Sequence, residues 1–390
     1  MGEYEMSQLR IRGRAFGARA NTLLATSLLT FALAFGALTV DAKQNSAATQ
    51  PITKGQKLFI AGHSFNVFIC APLEALAKEA GLQGHTTYGV QFIGNSTPMQ
   101  HWNQGTDETN IAKRALRTGE LDVFTMSPNA QMPEEAIDKF ADLAAQTTPN
   151  IRLLVQQSWS AWDGNAPNFA SFGGRIPRGP PPAGFGRPPG ASDAAEPKPF
   201  PQGCPQSRGP RPPRPTAGDA TNAAPNANRP PMPPQPVAGG APATSGFVNA
   251  DRDKATTADI EKSFESGKAY MDRMRTQLQG INERHHREMA FIVPAAEAVG
   301  RLREQVIAGK VPGVSKQSEL FADAMGHPGP VLSDVVSYVW FATLYRRSPV
   351  GMTALDKENT KESKARHHLL QQIAWQAVLN EPMSGVHAKN

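Results

Sequence analysis

The chain has 390 residues, a formal net charge of +6, a pI near 9.3, 34 glycines, 34 prolines and two cysteines. Two cysteines exclude a disulfide framework or a cysteine-based zinc cluster. The basic excess lies in Arg10, Arg12, Arg14 and Arg19 and in arginines scattered through a Pro-rich stretch, not on one helical face or between aromatics. No nucleic-acid partner is therefore expected.

Residues 1–42 read as an export signal or signal anchor: arginines, then an apolar run from Leu23 to Val40, then Val40-Asp41-Ala42 as a small-residue cleavage site. The run nearly reaches the length that spans a bilayer, so an uncleaved anchor is the alternative and the one membrane attachment expected. No paired arginines precede the run and no cysteine directly follows it, so neither twin-arginine export nor lipoprotein anchoring is expected. On either reading the rest of the chain is exported, to a periplasmic, secreted or cell-surface location.

Residues 43–54 are a polar linker. Leu58-Phe59-Ile60 then reads as a buried strand closing in the turn Gly62-His63-Ser64, and Pro72 opens a helix to Ala80 with Leu73, Leu76 and Ala77 on one face. A second strand is expected over about Tyr88–Ile93, a helix over Glu108–Thr118, a third strand over Leu121–Thr125, a helix from Pro133, and a fourth strand over Arg152–Ser158 that runs into Trp159 and Trp162. Strands alternating with helices at these lengths predict an α/β fold, a three-layer sandwich about a central parallel sheet.

The alternation stops at 165–249, which holds most of the prolines together with Gly, Ala, Asn and Ser. Such a composition buries too little apolar area to offset an ordering cost of about 1 to 2 kcal/mol per residue, and it predicts a disordered insertion. It divides one domain into 55–164 and 250–351. The second part holds an amphipathic helix over Thr257–Ile281, a fifth strand over Met289–Val293, a helix from Pro294 to Gly309, and an apolar helix over Pro330–Tyr345. A helical extension occupies 352–390. Cys70 reads as a small core residue, and Cys204, inside the insertion, as a free reactive thiol.

Four short blocks stand out in order: Gly62-His63-Ser64-Phe65, Gly94-Asn95-Ser96 and Asn129 after Ser127-Pro128, each at a strand end, and Asp323-Ala324-Met325-Gly326-His327 on a loop after the last strand. Their order resembles the SGNH hydrolases, the GDSL-like esterases, from about Lys57 to Gly351. The resemblance implies a flavodoxin-like sheet and a serine hydrolase. It also shows two departures. His63 stands where the family has Asp, giving GHSF, and the acid of the last block is Asp323, four residues before His327, where the family usually has it three before.

The residue chemistry agrees with that reading. A serine needs a base to take its proton as it attacks a carbonyl, and His327 is the candidate, with Asp323 to hold the other imidazole nitrogen. The backbone N–H groups of Ser64 and Gly94 and the side-chain amide of Asn129 are the candidate oxyanion donors. His63 either orients the turn or touches substrate, and Trp159 and Trp162 are candidates to line a sugar or acyl pocket. Neither His285-His286 nor His367-His368 can chelate from one helix face, since neighbours point about 100° apart. No metal and no cofactor is expected. The expected function is hydrolysis of a small-molecule or glycan ester, with a carbohydrate O-acyl ester tried first. The alternative is a catalytically inactive protein on the same fold that binds cell-surface glycans or a protein partner.

Overall fold

The computed structural model describes residues 50–129, 132–160, 252–323 and 326–387. The expected leader at 1–42, the insertion at 165–249 and Trp162 lie outside these residues.

Five strands, β1 (Lys57–Gly62), β2 (Thr86–Phe92), β3 (Val123–Met126), β4 (Arg152–Gln156) and β5 (Ala290–Val293), form one sheet in the order β2-β1-β3-β4-β5. Every pairing is parallel, with Leu58 opposite Val123, Phe124 opposite Leu153 and Leu154 opposite Phe291. β1, β3, β4 and β5 are short and largely buried because both faces of the sheet are covered, which selects hydrophobic runs over alternation, whereas β2 at the edge alternates exposed and buried residues. Leu58, Ile60, Val123, Leu154 and Val293 turn to one core; Phe59, Ala61, Phe124, Met126, Val155 and Ile292 turn to the other.

The first core is roofed by α1 (Cys70–Glu79) and by helices of the second half. The second is roofed by α2 (Pro98–Trp102), α3 (Ile111–Arg117), α4 (Glu135–Thr147) and α5 (Thr257–Arg284). On the first side α6 (Ala295–Ile307) and α7 (Pro330–Tyr345) pack beneath α8 (Lys361–Asn380). Helix α7 is buried nearly all round, including Tyr338, Trp340 and Tyr345, as expected of a helix whose apolar residues do not keep to one stripe. The molecule is thus α/β, with an all-parallel sheet flanked by helices, compatible with a three-layer sandwich.

Local chemistry explains where elements begin and where the expected limits move. Helix α3 starts at Ile111, later than the expected Glu108, because the Asn110 side chain caps it by accepting from the Lys113 N–H at 3.0 Å. Thr256 caps α5 through a reciprocal capping box with Asp259. The short helix α2, opened by Pro98 at its first turn, was not expected from sequence.

The cysteine expectation is corrected. Cys70 is fully buried at the start of α1 but is disulfide-bonded, and among the described residues no cysteine is free. The chain's other cysteine is Cys204, outside the described residues.

Among the described residues no helix is long and apolar enough to cross a membrane.

Candidate functional site

The strand order reverses direction between β1 and β3, and open parallel sheets bind ligands outside the carboxyl ends of their strands at such a reversal. Two of the sequence blocks leave the sheet at that point. β1 ends at Gly62 and delivers His63, Ser64 and Phe65 into a tight turn, after which a 3-10 turn (Val67–Ile69) leads into α1. The turn is held by its own polar groups. Asn66 Oδ1 accepts from the His63 N–H at 3.0 Å, and the His63 carbonyl accepts from the Asn66 and Val67 N–H groups. A Cβ at Gly62 would overlap the Asn66 amide, so glycine is needed for this close approach.

Ser64 is only half-buried, and its Oγ lies 2.8 Å from His327 Nε2. His327 comes from the loop between the 3-10 turn at Gln317–Leu320 and α7. Its Nδ1 lies 2.5 Å from Asp323 Oδ2, and the same carboxylate accepts the His327 backbone N–H through Oδ1 at 3.1 Å. The spacing of four therefore serves. Both oxygens of Asp323 bind His327, one fixing the backbone and one the imidazole. With the proton on Nδ1, Nε2 presents its lone pair to the serine, which is the tautomer a general base needs.

The Gly94 block leaves β2 beside β1, and Asn129 leaves β3 on the other side. Gly94 is exposed, and among the described residues the backbone N–H groups of Ser64 and Gly94 are given to no other group. The Asn129 side chain donates to Asn95 Oδ1 at 2.9 Å. Asn95 adopts a left-handed backbone, φ 51°, a conformation that asparagine tolerates better than most side chains. The blocks following β1, β2 and β3 thus meet at one end of the sheet.

The departure at His63 has a physical account. His63 is 6% exposed, and its Nδ1 accepts the Phe65 N–H at 3.3 Å, the kind of turn bond a carboxylate could also make. Burial, reinforced by repulsion from His327, lowers its pKa to about 4, so it is neutral at ordinary pH. Of the roles open to it, holding the turn is the one its contacts serve. His101 on α2 is also buried, with Nε2 2.7 Å from Ser96 Oγ, and burial with repulsion from His63 lowers its pKa to about 4.

Trp159 is corrected as a pocket-lining residue. It is 5% exposed, its ring stacks on Phe65 at 4.8 Å between centroids, and its Nε1–H donates to the Gly326 carbonyl at 2.9 Å. Trp162 is outside the described residues. The remaining histidine pairs serve structure: His285 Nε2 contacts Asp142 at 2.9 Å and His367 Nδ1 contacts the Tyr338 hydroxyl at 3.0 Å. Among the described residues no three His, Cys, Asp or Glu side chains gather to hold a metal.

Several site residues were not singled out in the sequence. Gln156 donates to the Phe65 carbonyl at 3.0 Å and accepts from Trp340 Nε1 at 2.6 Å. Its signal was a polar residue ending an otherwise apolar strand. Asn66, two residues after the serine, and Asn95, beside Gly94, carried the usual asparagine turn signal. In comparisons with known proteins no family model, curated protein or solved structure matches the chain, so its functional reading rests on residues and geometry.

Proposed function

We propose that the chain is an exported SGNH-like serine hydrolase that cleaves an ester through an acyl-enzyme on Ser64. The observation that carries this reading is the continuous relay from Ser64 Oγ to His327 Nε2, at 2.8 Å, and from His327 Nδ1 to Asp323, at 2.5 Å. The order of the four blocks and the flavodoxin-like strand order support it. The disulfide at Cys70 supports export, since disulfides persist in oxidising compartments.

In this mechanism Ser64 Oγ attacks the ester carbonyl as its proton passes to His327 Nε2. Asp323 stabilises the resulting imidazolium through Nδ1–H. The oxygen that becomes negative is met by the N–H groups of Ser64 and Gly94 and by the amide of Asn129, each typically worth about 3 kcal/mol of barrier. The helical run that starts three residues beyond Ser64 adds the positive end of its dipole. Collapse of the tetrahedral intermediate expels the alcohol, which takes the proton from His327. Water then attacks the acyl-serine with His327 as base, releasing the acid and restoring Ser64. The substrate class is a small-molecule or glycan ester, with carbohydrate O-acyl groups first.

The test is hydrolysis of a short-chain chromogenic acetate ester by the full chain beside Ser64→Ala and His327→Ala. Activity in the parent that both substitutions abolish is expected. Binding of acylated glycans without turnover would instead favour the inactive binding protein.

A further inference from the structure

The segment 161–251 is bracketed by Ser160 and Arg252, and the residues on both sides of it grip the loop that carries His327. On the first side stands Trp159. Its indole lies flat on Phe65, with ring planes 7° apart, and its N–H bonds the carbonyl of Gly326, the residue before His327. Phe65 in turn meets the His327 ring edge-on at 5.3 Å and 78°, while Gln156 ties the Phe65 carbonyl to Trp340 of the core. On the second side, Asp253 accepts from the Ser318 N–H at 2.8 Å and from its hydroxyl at 2.7 Å. The Arg252 guanidinium lies 3.8 Å over the ring of Phe321. Phe321 and Pro328 form the isolated bridge that closes the loop.

We infer that Trp159 is a positioning residue that holds His327 against Ser64, with Asp253 as a second grip on the 3-10 turn that leads into the same loop. This rests on the reading of Ser64 as nucleophile and His327 as base. The Asp323–His327 bonds join two residues of one loop and fix the imidazole within it. Trp159 adds a tie between that loop and the turn after β1, since the one side chain bonds Gly326 and packs on Phe65, the residue next to Ser64. A base displaced by about 1 Å can cost on the order of a hundredfold in rate without weakening substrate binding.

Trp159→Phe keeps an aromatic ring toward Phe65 while losing the N–H with the second ring, and Asp253→Ala removes an exposed side chain. Both are made in the full chain. Two readouts are taken: kcat and KM on the short-chain acetate ester, and the downfield NMR proton shared by His327 Nδ1 and Asp323, assigned by its loss in His327→Ala. The inference predicts that kcat falls tenfold or more in Trp159→Phe and by a smaller factor in Asp253→Ala, as an order of magnitude. KM stays unchanged and the shared proton broadens in both. Parent kcat with a parent-like proton signal would overturn it, as would a raised KM at unchanged kcat, the mark of a substrate contact. If the parent neither hydrolyses ester nor reacts at Ser64 with a phosphonate, the hydrolase reading fails. The proton signal then decides the positioning role by itself, broadening in Trp159→Phe supporting it and an unchanged signal overturning it.

Discussion

A serine hydroxyl at neutral pH reacts only when a base stands ready for its proton, and at Ser64 an imidazole nitrogen is placed 2.8 Å away. Ser64→Ala or His327→Ala is therefore expected to lower kcat by about 10⁴-fold or more, and Asp323→Asn by about 10² to 10⁴, read as initial rates on an activated ester. Retention of rate in Asp323→Asn would show that the carboxylate is not needed to set the tautomer. Asn129→Ala is expected to cost about 10² to 10³ in kcat, because an oxyanion donor acts on the transition state. A change confined to KM would remove it from that role. At this scale the candidates were legible, since Ser64, Gly94 and Asn129 each follow a strand end and Asp323 and His327 share one short block. What was not legible were the residues that hold them. Phe65 and Trp159 meet the His327 loop only through the folded chain, as Gln156 meets Phe65, and no local spacing signals a contact between Trp159 and Gly326.

At the scale of elements, the turn after β1 and helix α2 each carry a buried neutral histidine, and this gives a signed pH dependence. The pKa values of His63 and His101 are lowered from 6.5 to about 4 in the fold, so above pH 6.5 both are neutral whether the chain is folded or not. As pH falls from 6.5 to about 4, the unfolded chain binds protons that the folded chain refuses, and stability drops, by about 1.4 kcal/mol per pH unit for each histidine. Urea midpoints across this window should fall more steeply in the parent than in His101→Asn; equal slopes would contradict the burial argument. The turn itself tests a second point. Gly62→Ala places a methyl group against the Asn66 amide that supports the turn, and it should destabilise by about 1 to 3 kcal/mol in urea unfolding. Most elements were legible because their apolar runs end at clear Pro, Gly or Asn signals. Helix α2 was not, being too short for a helical period to show.

Across the whole molecule, the parallel sheet places the blocks from β1, β2 and β3 at one end, and α7 and α8 complete the core beneath it. The alternation of strands and helices made this architecture readable from sequence. The disulfide at Cys70 was not readable, since Cys70 sits in an apolar run that reads as core. Reduction is expected to cost about 2 to 5 kcal/mol, seen as a lower thermal midpoint in reductant, and an unchanged midpoint would contradict a stabilising role for the Cys70 bond. The central claim is that this sheet end makes Ser64 a nucleophile with His327 as its base. It is tested most directly by treating the full chain with a serine-directed phosphonate and locating the adduct by peptide mass spectrometry. The account predicts a single adduct on Ser64 that forms at least a hundredfold more slowly in His327→Ala, as an order of magnitude. No adduct on Ser64, or one that forms as fast without His327, would contradict it.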